Sequence, residues 1–279
     1  MKKNFFTGNL RSILYFWSLT LALNIFAQDN LSALLPYPNH IEQREGTFSI
    51  SANEQIVTDS DELIFAATEL QHICNQRFGI ELPTGKNGKI KLMLNEQIDG
   101  KEHYRLTISS RGITIEGKTP AGVLYGVYTL DQVLLGDVTN TKNKQIRSIF
   151  IEDYPAYPYR ALMLDPARHF LPVNDVKHYI RQMARYKYNT LQLHLSDDQG
   201  WRIEIKSHPK LTGIGAFPNP KGGTNNPDNG FYSQEQLKEL IRYAANLNVE
   251  IIPEIDIPGH TAALLAAYPE LHCDIHKDS

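Results

Sequence analysis

The sequence predicts an α/β protein in two parts, an α+β unit over residues 28–153 followed by parallel βαβ units over 154–279. Three observations carry this expectation. Residues 30–153 combine one helical apolar stripe with short strand-like alternations. "EDYPAYPYR" (152–160), with Pro155 and Pro158, interrupts the pattern as domain junctions do. Beyond it the segments run strand–helix–strand–helix–strand, the order of parallel strands joined by right-handed crossovers.

The elements follow in order. Lys2, Lys3 and Arg11 precede an apolar run, Ser12–Ala27, that is short for a membrane span of about 20 residues and has the form of an export signal ending near Ala27. An uncleaved anchor is the alternative. The expectation is signal removal over 1–27, an exported periplasmic or extracellular protein, and no membrane contact after cleavage. In "DELIFAATELQHICNQRFG", Leu63, Ala66, Ala67, Leu70, Ile73 and Cys74 recur at helical spacing, and Gly79 offers a C-cap. Residues 89–95 form a strand. "YRLTISSRGITIEG" alternates apolar residues around Ser110-Arg111-Gly112, a hairpin signal. Thr119-Pro120 opens a helix whose glycines and β-branched residues suggest close packing on a sheet.

In the second part, residues 160–165, 190–195 and 249–256 read as strands. Between the first two, Val176, Tyr179, Ile180, Met183 and Ala184 share one helical face. Between the second and third, Ser233 and Gln236 form a capping-box pattern, and the helix they start turns Leu237, Leu240, Ile241 and Ala244 inward.

Composition excludes some classes. The chain is 42% hydrophobic and 21% charged, with a net charge of −3. That balance gives no electrostatic footprint for nucleic acid. Cys74 and Cys273 read as incidental thiols, since two cysteines in different parts of the chain make no disulfide framework.

Parallel α/β folds place their chemistry at the carboxyl ends of the strands. The polar residues cluster there: Asp165, Arg168 and His169 after the first strand, Asp197, Asp198 and Trp201 after the second, Asp256 and His260 after the third. The Gly/Pro/Asn-rich stretch Lys206–Gly230 lies at the same end, and loops of that length are usually functional. "SDDQGW" reads either as an Asx turn with solvated acids or as a pocket wall beside Trp201. Pro258-Gly259 forces a turn that returns His260 over the strand ends. An Asp–His pair is a means of orienting an imidazole and stabilising its protonated form. A metal site is the rival, since His194, Asp197, Asp198 and His260 are acceptable Zn²⁺ ligands, but none of them stands in an HxH or HxxxH spacing. No metal and no cofactor is expected. Arg160 is either a junction salt bridge or a fork of donors for sugar hydroxyls.

Three blocks, "YRALMLDPARHFLPVNDVKHYI", "LQLHLSDDQGWRIEIKSHPKLTGIGAF" and "EIIPEIDIPGHTAALLAAYPEL", closely resemble β-N-acetylhexosaminidases of glycoside hydrolase family 20. The resemblance spans about 154–273, and the preceding segment resembles that family's N-terminal accessory domain. It implies a TIM (β/α)8 barrel after an α+β domain, present here as about its first three βα units. It implies an oligosaccharide or glycoconjugate substrate with a terminal β-linked N-acetylglucosamine or N-acetylgalactosamine. Arg160 would hold the sugar's hydroxyls, with Asp198 and Trp201 also on the substrate side. Asp197 and His260 would form a supporting pair directed at the catalytic acid. The mechanism would be retaining and substrate-assisted, with the acetamido oxygen as nucleophile.

One departure matters. The family's acid and orienting residue form an adjacent Asp-Glu pair on a later strand, and here that pair occurs only at Asp61-Glu62. A barrel has eight strands and about 250 residues. The expectation is therefore the N-terminal portion of a longer enzyme, inactive by itself. The alternatives are a metal-dependent barrel hydrolase and a non-catalytic sugar-binding protein with a degenerate barrel.

Overall fold

A computed structural model describes residues 30–136, 138–140, 144–217 and 226–273; the expected export signal lies outside them. Among the described residues no helix is long and apolar enough to cross a membrane.

The first part is a seven-stranded sheet of β1 (His40–Ser49), β2 (Ile56–Thr58), β3 (Ile90–Leu94), β4 (Tyr104–Ser109), β5 (Gly112–Gly117), β6 (Val138–Asn140) and β7 (Gln145–Asp153). The strands run in the order β1-β7-β4-β5-β3-β2, with β6 also on β7. β4 and β5 are the expected hairpin, with Leu106 opposite Ile115 and Ile108 opposite Ile113. Period-2 alternation buries Tyr104, Leu106 and Ile108 on one face.

Two helices cover that face. α1 (Ile64–Phe78) follows a short turn at Asp61–Leu63, and Gly79 ends it in a left-handed conformation (φ +63°). All six apolar residues of its sequence stripe are buried. Burial pushes the Cys74 thiol up to about 12, which leaves it inert; Cys273 is exposed. α2 (Pro120–Gly136) lies very close to the sheet. A Cβ on Gly122 would fall 2.4 Å from the His103 carbonyl oxygen, and one on Gly126 would fall 2.4 Å from Ile115 Cγ2.

The second part is a parallel sheet of β8 (Ala161–Leu164), β9 (Thr190–His194) and β12 (Glu250–Glu254), with β9 central. Leu162 pairs with Leu191, and Leu191 with Ile251. The ribbon β10 (Ser196–Asp197) and β11 (Gly200–Trp201) follows β9 directly. α3 (Val173–Arg185) and α5 (Gln234–Asn246) are the crossover helices, α4 (Lys210–Gly213) sits in the long loop, and α6 (Ala262–Ala267) follows β12. Ser233 and Gln236 form the capping box as expected.

Two helix-face expectations are corrected. On α3 Val176, Ile180, Met183 and Ala184 are buried, but Tyr179 is 46% exposed; on α5 Leu240 and Ala244 are buried, but Ile241 is 51% exposed. Each residue flanks the stripe that meets the sheet and the neighbouring helix and is about half exposed. Leu162, Met163 and Ile252 are likewise exposed, and the outer edges of β8 and β12 have no strand partner among the described residues.

Among the described residues, four ion pairs join the two parts with the same polarity. Glu69 meets Arg181 at 2.8 Å, Glu102 meets Arg160 at 2.9 Å, Asp131 meets Arg185 at 2.5 Å and Asp153 meets Lys187 at 2.8 Å. In each pair the acid precedes residue 154 and the base follows it. Asp131 also accepts from Arg77 of α1 at 2.8 Å.

Candidate active site at the strand carboxyl ends

Asp197 is the centre of the site. The β10–β11 ribbon turns back immediately after β9, which seats the Asp197 side chain over the end of the sheet at 1% exposure. Such a carboxylate must be fully satisfied to be tolerated. Its Oδ2 accepts from His194 Nε2 at 2.9 Å and is ion-paired with Arg168 Nη2 at 2.7 Å. Its Oδ1 accepts the Asp198 amide at 2.6 Å and faces His260 Nδ1 at 3.2 Å. Burial acts to raise the Asp197 pKa, but these donors together hold it below the usual carboxylate range.

His260 arrives from β12 by the turn at Pro258-Gly259. Its backbone is left-handed (φ +53°), a conformation that costs a non-glycine residue roughly 1–2 kcal/mol. Contacts on both sides hold it there. Thr261 Oγ1 donates to the Pro258 carbonyl at 2.9 Å, and the Ala262 amide donates to Asp198 Oδ1 at 3.0 Å. His260 is half exposed, so one side of the ring meets Asp197 and the other is open.

Arg168 completes the cluster from the loop after β8. It pairs with Asp165 at 2.6 Å and with Asp197, yet stays 43% exposed. Asp256 takes a different role, its amide donating to Ser196 Oγ at 2.9 Å. His169 points away, to Asp228 at 3.1 Å.

Three site expectations change. Arg160 lies at the amino end of β8, about 13 Å of extended chain from the carboxyl end where Asp197 sits. Its guanidinium is spent on Glu102, the Lys187 carbonyl at 2.7 Å, the Tyr157 carbonyl at 2.8 Å and Tyr125 at 3.3 Å. It is the junction anchor, and Arg168 is the arginine at the site. Trp201 is buried with Leu211, Ala263 and Ala267, and its indole N–H donates to the Ile203 carbonyl at 2.7 Å, so it offers no open face to a sugar. Asp198 is tied to the Ala262 amide at the start of α6 and shapes the His260 turn.

Two groups were not singled out from sequence. Arg202 is wholly buried and donates to the carbonyls of Pro166, Ala167, Ala216 and Gly230. It ties the β8 loop to both described ends of the Lys206–Gly230 stretch; residues 218–225 of that stretch lie outside the described residues. Burial pulls its pKa down. Gly200 makes room for it, since a Cβ there would sit 2.3 Å from the guanidinium carbon. The second is Glu254, whose Oε1 is 3.4 Å from His194 Nδ1.

Asp197, Asp198 and His260 also lie close enough together to share a cation. The donor set argues against that use, because each Asp197 oxygen already accepts one N–H group, from His194 and from the Asp198 amide, and the Arg168 guanidinium is ion-paired with the same carboxylate. A cavity of about 920 Å³ lies elsewhere, at the junction, lined by Lys101, Glu102, His103, Tyr154, Pro158 and Asn248 among others.

Comparison with known proteins agrees with this geometry. Residues 31–154 match the family model described as glycosyl hydrolase family 20, domain 2, and residues 157–279 match that of the family 20 catalytic domain. The chain belongs to glycoside hydrolase family 20. The three parallel strands are accordingly part of the family 20 TIM barrel, and the seven-stranded sheet with its helices is the accessory domain. A beta-hexosaminidase of Vibrio furnissii is 40% identical over 245 residues, 85% of this chain and 39% of that protein. One from Porphyromonas gingivalis is 36% identical over 250 residues, 86% of this chain and 32% of that protein. A family 20 exo-β-N-acetylglucosaminidase of Vibrio harveyi, solved with N-acetylglucosamine, superposes with a TM-score of 0.79 at 34% identity, covering 89% of this chain and 40% of that one. The N-acetyl-β-hexosaminidase of Streptomyces plicatus gives 0.76 at 38% identity, covering 88% and 50%. The chain therefore spans half or less of the length of these relatives.

Proposed function

We propose that the complete protein carrying these residues releases terminal non-reducing β-linked N-acetylhexosamine from oligosaccharides or glycoconjugates. The observation that carries this reading is the Asp197–His260 contact of 3.2 Å, with Arg168 beside it, at the carboxyl ends of parallel family 20 strands. The reaction is retaining and substrate-assisted. The acetamido oxygen of the sugar attacks the anomeric carbon while a general acid protonates the leaving oxygen, and water then opens the intermediate.

The residues of this chain support that chemistry. Asp197 holds His260 in one orientation, with Nδ1 turned to the carboxylate and Nε2 free to meet the acid that donates the proton. The half-exposed Arg168 guanidinium presents its fork of donors to the sugar hydroxyls. The acid itself belongs to the adjacent Asp-Glu motif. The Asp-Glu at 61–62 is not a candidate, since it stands at the start of α1 in the accessory domain. Export through the segment 1–27 suits a protein acting on extracellular glycans.

The test is a pair of preparations assayed on an aryl N-acetyl-β-glucosaminide. The complete protein turns the substrate over and releases the β-anomer first, read by proton NMR, and the 279-residue chain alone does not. Robust turnover by the 279 residues, or an α-anomer product, would overturn the reading.

A further inference from the structure

His194 ends β9 with its ring buried, and both of its nitrogens face carboxylates. Nε2 lies 2.9 Å from Asp197 Oδ2, and Nδ1 lies 3.4 Å from Glu254 Oε1 on β12. A neutral imidazole carries one donor and one acceptor, so a neutral ring would aim a lone pair at one of these oxygens. Only the doubly protonated ring presents an N–H to each.

The surroundings from every neighbouring element agree. Asp165 of the β8 loop adds a further acidic group, and Asp256 beyond β12 lies within reach of His194 and Glu254. Arg168 shares Asp197 Oδ2 with His194, and His260 faces the other oxygen, Oδ1. Glu254 is itself held, accepting a hydrogen bond from Gln192 Nε2 through its other oxygen. Burial acts to lower the His194 pKa, but Asp197, Asp165 and Glu254 outweigh it, and the group stands above the ordinary histidine value.

We infer that His194 is a positioning residue, an imidazolium clamped between Glu254 and Asp197 that orients Asp197 toward His260. Together with Arg168 it occupies Asp197 Oδ2, which leaves Oδ1 directed at His260. Its charge also allows Asp197 to remain anionic at 1% exposure. It touches no substrate and acts only through Asp197. This inference rests on the function proposed above.

Three variants of the complete protein and one spectrum test it. His194→Phe lowers kcat roughly tenfold to hundredfold, the range for lost support of a reacting group, and leaves KM within about twofold. His194→Gln keeps one N–H for Asp197 and recovers part of the loss. Glu254→Gln removes one carboxylate from the ring, so His194 loses its proton at lower pH and the alkaline limb of the kcat profile moves acidward by about one unit. A merely structural role would scale the whole profile down without moving that limb. In the unsubstituted protein, side-chain ¹⁵N resonances of His194 show both nitrogens protonated at pH 7. A neutral tautomer at pH 7, an unmoved alkaline limb, or a loss confined to KM would each overturn the inference. If the unsubstituted complete protein releases no sugar, the proposed function fails instead, and the ¹⁵N spectrum still decides the charge of His194.

Discussion

Asp197 is shared among Arg168, His194, His260 and the Asp198 amide, and that sharing separates the two arginines that flank β8. Arg168 stays 43% exposed at the site, whereas the Arg160 guanidinium is turned to Glu102, Tyr125 and the Lys187 and Tyr157 carbonyls. The sequence placed both near one strand, but only position along the strand decides which reaches the chemistry. An arginine before a four-residue strand stands at the wrong end of it, so the junction salt bridge already open as an alternative is the one observed. In the complete protein, Arg168→Ala raises KM roughly tenfold to hundredfold, from hydrogen bonds to a charged donor worth about 1.5–3 kcal/mol in total. Arg160→Ala leaves KM within twofold and lowers Tm instead. Steady-state kinetics and calorimetry on the two variants check this, and a larger KM effect at Arg160 would reverse the assignment. His260 shows what was legible. Its turn was readable from Pro258-Gly259, whereas its left-handed backbone and the Asp198–Ala262 tether depend on contacts between separate strands.

At the level of elements, helix α2 carries the union between the two parts. Its glycines bring it onto the β4–β5 hairpin, and Asp131 on its other side binds Arg77 of α1 and Arg185 of α3. Asp131→Asn leaves two guanidinium groups without a counterion. Both arginines keep partial solvent access, which limits the loss to about 2 kcal/mol. Chemical denaturation should show it as a lower midpoint, and an unchanged midpoint would contradict the role. Element type and order were legible because the apolar periods are regular: 3.6 in α1, 2 in the hairpin, and a capping box at Ser233. Tyr179 and Ile241 were not, because a helix lying on one sheet and one neighbour buries a narrower stripe than an apolar count suggests. Trp201 failed for a related reason. A large aromatic after a strand can be a binding platform or a plug, and its packing partner α6 is sixty residues away. The acid–base polarity of the junction, Glu102 to Arg160 and Asp153 to Lys187, has no local signature at all.

For the whole molecule, the site couples stability and chemistry to pH from both sides. The Asp197 pKa is lowered in the fold, so its contribution is present above about pH 4 and is lost as pH falls through the folded value. The His194 pKa is raised, so its contribution is complete below about pH 6.5 and is lost as pH rises through the folded value. The intact relay therefore belongs to the interval between them. The accessory domain anchors β8 and β9 from the amino side through the Glu102–Arg160 and Asp153–Lys187 pairs, and the candidate site lies at the opposite ends of those strands. The measurement that bears on this most directly is the separate determination of kcat and KM for His260→Ala in the complete protein, on an aryl N-acetyl-β-glucosaminide. A residue that orients the proton donor lowers kcat by about a hundredfold with KM changed no more than a few-fold. A loss confined to KM, or none, would contradict the role assigned to the Asp197–His260 pair.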